Sequence, residues 1–322
     1  MKKLFVLCNL LVIAALLSAC AAPSQSTTNT TRVRIGTQPW IGYGPWWIAK
    51  EKGLFEKYGL EAELVDFVED KEVNAAFASG EMEAANLATH TAIKLVSAGV
   101  ELKLVLLEDV STSADAILAD ESIQSIADLK GKQVAYEEGA TSDLLLNYAL
   151  MQNNLSLADI IPVPMPASDA GTALLTGNVP AAVTYEPYIS EVLAQNSAVK
   201  PLYLASERAG LISDVLVVND KWAAENPETV KSLLKVWDDA LAFYNQNPAE
   251  GQQIIARAVG SSAADLQTAF AGVEFYSLED NQTALTSDFT ATIQDVGEVS
   301  QSIGLFDEIP DLTKLVDSSF LK

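Results

Sequence analysis

The chain has 322 residues, 49% of them apolar, with 43 Asp and Glu against 20 Lys and Arg, a formal net charge of −23 at pH 7. So acidic a surface repels nucleic acid, and no basic patch interleaved with aromatics offsets it. Both cysteines, Cys8 and Cys20, lie near the start. The remaining 300 or so residues, roughly, must be stabilised by core burial without disulfides or cysteine–metal sites, and they are numerous enough for one large domain or two lobes.

Residues 1–20 read as an address. Lys2 and Lys3 supply a positive start, and 4–17 form an apolar run broken by Asn9, too short and wrongly flanked for a stable span. Leu17-Ser18-Ala19-Cys20 resembles the bacterial lipobox. That resemblance implies a lipoprotein signal peptide at 1–19, lipidation of Cys20 and a chain anchored to a membrane rather than spanning it. The small polar residues up to 31 suit a flexible tether.

A strand is expected at 33–37. It runs into Gly36-Thr37-Gln38-Pro39-Trp40-Ile41-Gly42-Tyr43-Gly44-Pro45-Trp46-Trp47, whose glycines and prolines argue against a regular element before a helix at about 46–52. Strands follow near 62–67, 84–87 and 102–107, alternating with helices at 70–79 and 89–98 that stop at Gly80 and Gly99. The alternation argues for a parallel or mixed sheet covered by helices on both faces. A second block repeats it: extended 115–119, a short helix at 125–131, strand 133–136, helix 144–152, an extended edge at 162–166, helix 168–176, strand 181–185 and helix 189–195. The stretches 75–87 and 173–184 both read helix, Gly, three residues, Ala-Ala, strand, which marks them as matching units of two lobes. After a strand at 214–218 the chain turns helical, with start signals at Asn226-Pro227, Asn247-Pro248, Ser261-Ser262 and Ser277. Val230, Leu233, Leu234, Trp237, Leu241 and Tyr244 keep helical spacing, so Trp237 belongs to the core.

No catalytic set emerges: one histidine, His90, no Gly-x-Ser-x-Gly, no phosphate loop and no metal-ligand spacing. What stands out is a set of aromatics and hydroxyls at expected strand ends. Trp40, Tyr43 and Trp46 lie on the first loop, a place where open α/β sheets bind ligands. Ser111, Thr112 and Ser113 precede Asp115 and either satisfy turn amides or meet a polar ligand. Glu138, Gly139 and Thr141 open a helix whose free amides suit an anion, while the flanking carboxylates argue otherwise. Arg208 is the one arginine well placed for an oxyanion, whereas Glu108, Asp109, Asp115, Glu138, Glu186 and Asp214 supply carboxylates in the same regions. Aromatics with carboxylates form a cation-binding chemistry.

Trp46-Trp47-Ile48-Ala49-Lys50-Glu51-Lys52-Gly53-Leu54-Phe55-Glu56-Lys57-Tyr58-Gly59-Leu60, followed by Ala78-Ser79-Gly80-Glu81-Met82-Glu83-Ala84, resembles the ABC-importer solute-binding proteins for nitrate, sulfonate, taurine and thiamine precursors. The resemblance runs from about 32 to 245. It implies the type II periplasmic-binding-protein fold: α/β, with two Rossmann-like lobes, two crossing strands and C-terminal helices. Lobe one would comprise 32–114 and 215–322, and lobe two 115–214. The implied partners are a small-molecule solute, an ABC permease with its ATPase, and a membrane through the lipid anchor alone. A monomer with no nucleic acid and no cofactor is expected.

By position the family's contacts fall on Trp40 to Trp46, on Thr89 and His90, on Ser111 to Asp115, on Gly139 and Thr141, and on Asp214. Its aspartate-proline pair falls on Glu186-Pro187, behind Tyr185. This chain departs from the family in having glutamate there and in lacking evident basic contacts for nitrate or sulfonate. A small cation such as guanidinium or an amine, or a zwitterion, suits these residues at least as well. Two other readings attach to the same fold. One is an enzyme similar to fungal thiamine-pyrimidine synthase, whose cysteine-rich run is missing here. The other is a ligand-binding sensor input docked to a receptor.

Overall fold

The computed structural model describes residues 31–322. The expected signal peptide, the Cys20 anchor and the tether as far as residue 30 lie outside the described residues. The chain begins with β1 (Thr31–Thr37), α1 (Gly44–Glu51), α2 (Leu54–Lys57), β2 (Leu60–Asp66), α3 (Asp70–Ala78), β3 (Ala84–Ala88), α4 (Thr89–Ser97) and β4 (Leu102–Ser111). It continues with β5 (Asp115–Ala119), β6 (Gln133–Tyr136), α5 (Thr141–Gln152), β7 (Ile161–Pro164), α6 (Ala167–Leu175), β8 (Ala181–Tyr185), α7 (Tyr188–Gln195), β9 (Lys200–Leu204) and β10 (Ser213–Asn219). The last part holds α8 (Asp220–Glu225), α9 (Pro227–Gln246), α10 (Pro248–Ala258), β11 (Val273–Phe275), α11 (Leu278–Ala284) and α12 (Asp288–Ser302).

The strands form two mixed sheets, ordered β11-β4-β10-β3-β1-β2 and β7-β6-β8-β5-β9. In the first, β1 runs parallel to β2 and β3, and β10 lies antiparallel between β3 and β4. In the second, β6 runs parallel to β7 and β8, and β5 lies antiparallel between β8 and β9. The two orders are therefore the same over five strands, β4-β10-β3-β1-β2 matching β9-β5-β8-β6-β7. The strands of the repeated stretch, β3 and β8, take equivalent places, each preceded by a helix that ends at a left-handed glycine, Gly80 (φ 82°) or Gly177 (φ 73°). A residue with a Cβ is strained in that conformation, so the shared glycine is what lets both helices turn back to the sheet. The chain passes from the first sheet to the second through 112–114 and returns through 205–212.

Two local readings are corrected. Glycine and proline do not keep 36–47 irregular. The loop closes into a short 3-10 turn, Ile41–Tyr43, and α1 starts at Gly44 with Pro45 in its first turn, where a missing N–H costs nothing. At Ser262 the start signal is used, since the Asp265 amide donates to its hydroxyl at 3.2 Å. No α-helix follows. The chain continues in turns and a 3-10 stretch, Ala269–Gly272, which delivers the unanticipated edge strand β11.

Apolar layers cover both faces of each sheet. The largest joins α1 to α9 and α10 around Trp46, whose ring stacks on Phe55 and lies 5.2 Å from that of Trp237. Trp237 is fully buried, as its helical spacing predicts, and donates its indole N–H to the Tyr276 carbonyl at 2.9 Å. The helix α12 spans the crossings. Phe289, Ile293 and Val296 pack into the first sheet's core, and Val299 and Ile303 against the second's.

Candidate ligand-binding cavity between the sheets

Residues from both sheets meet around a small cavity lined by Gln38, Trp40, Tyr43, Asp70, Asp115, Thr141, Tyr185, Ile212 and Asp214. Its volume is about 20 Å³, room for one water-sized body and little more. Gln38, Trp40 and Tyr43 follow the end of β1. Asp70 opens α3 after β2, Thr141 opens α5 after β6, and Tyr185 ends β8. These are carboxyl ends of parallel strands, where open α/β sheets place ligands. Asp115 and Asp214 come from the crossing strands β5 and β10.

The loop after β1 is held by its polar contacts. The Tyr43 hydroxyl donates to Asp214 Oδ1 at 2.8 Å, and the Trp40 indole N–H points to Asp109 Oδ2 at 3.4 Å. A Cβ on Gly42 would collide with the Trp40 indole and the Asp109 carboxylate, so only glycine allows the loop this close to β4. Across the cavity Tyr185 meets Trp40 edge to face, ring centres 5.7 Å apart, a favourable geometry for the two quadrupoles.

Asp70 ties the sheets together. Its amide donates to Glu137 Oε1 at 3.0 Å, and its carboxylate accepts from the Gln38 side-chain amide and, at 3.4 Å, from the Thr141 N–H at the start of α5. The other Glu137 oxygen accepts from the Ala167 amide at 3.2 Å. A carboxylate of the first sheet therefore sits on the amino end of a helix of the second, where partial positive charge favours it.

The electrostatics are those of a crowd of buried acids. Burial raises Asp115 to about 8 and Asp214 and Glu137 each to about 7. Asp70 is raised by burial, opposed by Gln38, the Thr141 amide and Lys94. Behind the loop Glu108 and Asp109 stand well above the usual carboxylate range, through burial first and the neighbouring acids next. Asp115 Oδ2 is buried without a hydrogen-bond partner. The Ser111 hydroxyl lies near enough to temper the rise of Asp115 but not in hydrogen-bonding geometry. None of the lining residues is Lys or Arg.

Of the residues singled out from sequence, the cavity brings together Trp40, Tyr43, Asp115, Thr141, Tyr185 and Asp214. The others are placed elsewhere. Trp46 is core, with its N–H donated to Glu108 Oε1 at 2.7 Å. Thr89 bonds Ser213 through its hydroxyl, pinning the β3–α4 corner to β10. His90 is buried outside the lining and held neutral, its pKa lowered to about 3 by burial and Lys94. Thr112 donates to the Gly272 carbonyl at 3.0 Å, and Ser113 is exposed against the same glycine, so these hydroxyls serve the crossing. Gly139 is left-handed (φ 77°) and its N–H donates to Asp143, while Glu138 points to solvent and its neighbour Glu137 faces inward. Both oxygens of Glu186 accept from Ser190, at its N–H and its hydroxyl. The guanidinium of Arg208 is engaged by Asp295 of α12.

Gln38, Asp70 and Ile212 were not anticipated. Asp70 reads in sequence as a helix start, which it also is. A larger depression of about 680 Å³ lies at the crossings themselves, lined by Thr112, Ser206 and Gly210 and by Tyr276 and Phe289 of the C-terminal part. It lies within the first sheet's surroundings and lacks the convergence of both sheets that marks the small cavity. Among the described residues no group of three or more His, Cys, Asp or Glu is arranged to hold a metal ion, and no helix is long and apolar enough to cross a membrane.

Two sheets of matching order, joined by two crossings with a polar, aromatic cavity between them, make up the fold of the periplasmic binding proteins. The periplasmic aliphatic sulphonate-binding protein of Escherichia coli has the same fold, with a TM-score of 0.74 and 23% identity over 91% of this chain and 99% of that one. Residues 40–251 match the family described as NMT1/THI5 like, and the chain belongs to that family. It is 29% identical to a protein of Brucella abortus named as a binding protein, over 76% of this chain and 77% of that one. It is also 26% identical to a protein of Bacillus subtilis named as aliphatic sulfonates-binding, over 97% and 94%.

Proposed function

We propose that this protein is the extracytoplasmic solute-binding component of an ABC importer, which captures a small solute between two lobes and delivers it to a membrane permease driven by its ATPase. The observation that carries this reading is the cavity between the sheets, built from both and closed over a pair of aromatic rings. The relatives, named as binding proteins, support binding rather than catalysis. Lobe one comprises the first sheet with the C-terminal helices, and lobe two the second sheet. A lipidated Cys20 holds the monomer at the membrane surface. The solute touches Trp40, Tyr43, Asp70, Asp115, Thr141, Tyr185 and Asp214, and closure assembles these groups from both lobes.

The test is a panel of small solutes of both charges, read by the melting temperature of the full-length protein, because a ligand of the folded state raises it by mass action. A saturable rise with a solute should coincide with a change in tryptophan emission that Trp40→Phe diminishes. If no solute of the panel shifts the melting temperature, the reading fails.

A further inference from the structure

The cavity has a chemical bias that the fold alone does not dictate. Asp70, Asp115 and Asp214 border a space of about 20 Å³ with no Lys or Arg in its wall. Asp115 is 4% exposed and its Oδ2 accepts from nothing, in a buried place where an unsatisfied oxygen is costly. The group with the chemistry to repair this is a donor, and preferably a charged one.

The usual seat for an anion in this architecture is already taken. The amides at the start of α5 would attract a negative group, but the Asp70 carboxylate is there, accepting from Thr141. An anionic solute would have to displace Asp70 and then sit among Asp115, Asp214 and Glu137. Arg208, the candidate partner for an oxyanion, is turned to Asp295. Lys94 lies near Gly139, where its field reaches Asp70 and Asp143, but it does not line the cavity. The remaining wall is aromatic, Trp40 against Tyr185, and such rings attract cations by their quadrupoles.

We infer that the solute is a small organic cation with several N–H donors, of guanidinium or alkylammonium type, bound by Asp70, Asp115 and Asp214 beside the Trp40–Tyr185 pair. This deepens the solute-binding reading above and rests on it. The carboxylates approach from α3, β5 and β10, so a donor with N–H groups in several directions satisfies more of them than a single-donor solute does. The space as it stands has room for a water-sized body, so admitting even a cation of a few heavy atoms requires the sheets to part slightly, and a larger solute requires more. Burial and the neighbouring acids favour the protonated forms of Asp115 and Asp214, and a bound cation favours their ionised forms.

Titration calorimetry and thermal melting of the full-length protein with guanidinium chloride and methylammonium chloride, at millimolar concentration against matched sodium chloride, test this beside taurine, ethanesulfonate and nitrate. The expected result is saturable binding of a cation and none of ethanesulfonate or nitrate. Asp115→Asn should weaken it roughly ten- to a hundred-fold, the loss of a charged hydrogen bond. That variant removes a buried ionisable group, and its melting curve reports its folding independently. Binding of ethanesulfonate, nitrate or taurine without either cation overturns the proposal and leaves the solute-binding reading standing. Cation binding undiminished in Asp115→Asn overturns the assignment to this cavity. No binding by any of the five overturns the proposal and counts against the parent reading.

Discussion

Asp115 shows how a single buried side chain makes stability depend on pH. An aspartate in the unfolded chain titrates near 4, approximately, whereas in the fold Asp115 titrates at about 8. Between those values the folded protein holds the extra proton, so stability falls as pH rises through that window. The groups that face Asp115 push the same way: Asp70 at the start of α3, Asp214 on β10 and Glu186 after β8. Asp115→Asn should therefore melt like the unsubstituted protein near pH 4, the gap widening to several degrees near pH 8, with about 2–4 °C for each kcal/mol in domains of comparable size. Equal melting temperatures at both pH values would remove Asp115 from the buried acids. At this scale sequence was most informative where the residue type is rare. Trp40 and Tyr43 stand out on a glycine-rich loop. Asp70 does not, because a helix-opening aspartate is common, and Glu138 points to solvent while Glu137 faces inward, because the inward side of an extended chain alternates by one residue.

The elements were read more securely, since each rests on many residues at once. The spacing of Val230, Leu233, Leu234 and Trp237 specifies one face of α9, and that face is buried against α1. Trp237 carries more of this contact than its size alone suggests, because its ring meets those of both Trp46 and Phe275 and its N–H is satisfied by Tyr276. Trp237→Ala should cost about 3–5 kcal/mol in chemical denaturation. A loss below about 1 kcal/mol would mean that α9 is not packed on α1 as described. Short edge elements were the ones missed. Strand β11 has three residues and β9 contains a proline, so neither shows the alternation by which a strand is recognised. The segment after Ser262 has a helix signal but must turn to deliver β11, and tertiary demand overrode the local preference.

At the scale of the molecule, the repeated helix–glycine–strand stretches read as matching units, and their strands take equivalent places, β3 beside β1 and β8 beside β6. The cross-sheet contacts of Asp70 were invisible, since its partners Glu137 and Thr141 lie some seventy residues away in sequence. They make Asp70 a strut between the sheets. Asp70→Ala should loosen the ligand-free protein, seen as a larger radius of gyration in solution scattering, with little loss of melting temperature. An unchanged radius would show that the aromatic pair and α12 hold the sheets together without it.

The division of the carboxylates between the sheets has a consequence for delivery. Asp70 and Asp214 belong to the first sheet, while Asp115 and the amides of α5 belong to the second. Parting the sheets separates the charges that hold a cation and, in the same stroke, uncovers a helix end that repels it. Capture and discharge then become two ends of one motion. On the proposed function, a permease that merely pulls the halves apart would need no other trigger to release the solute.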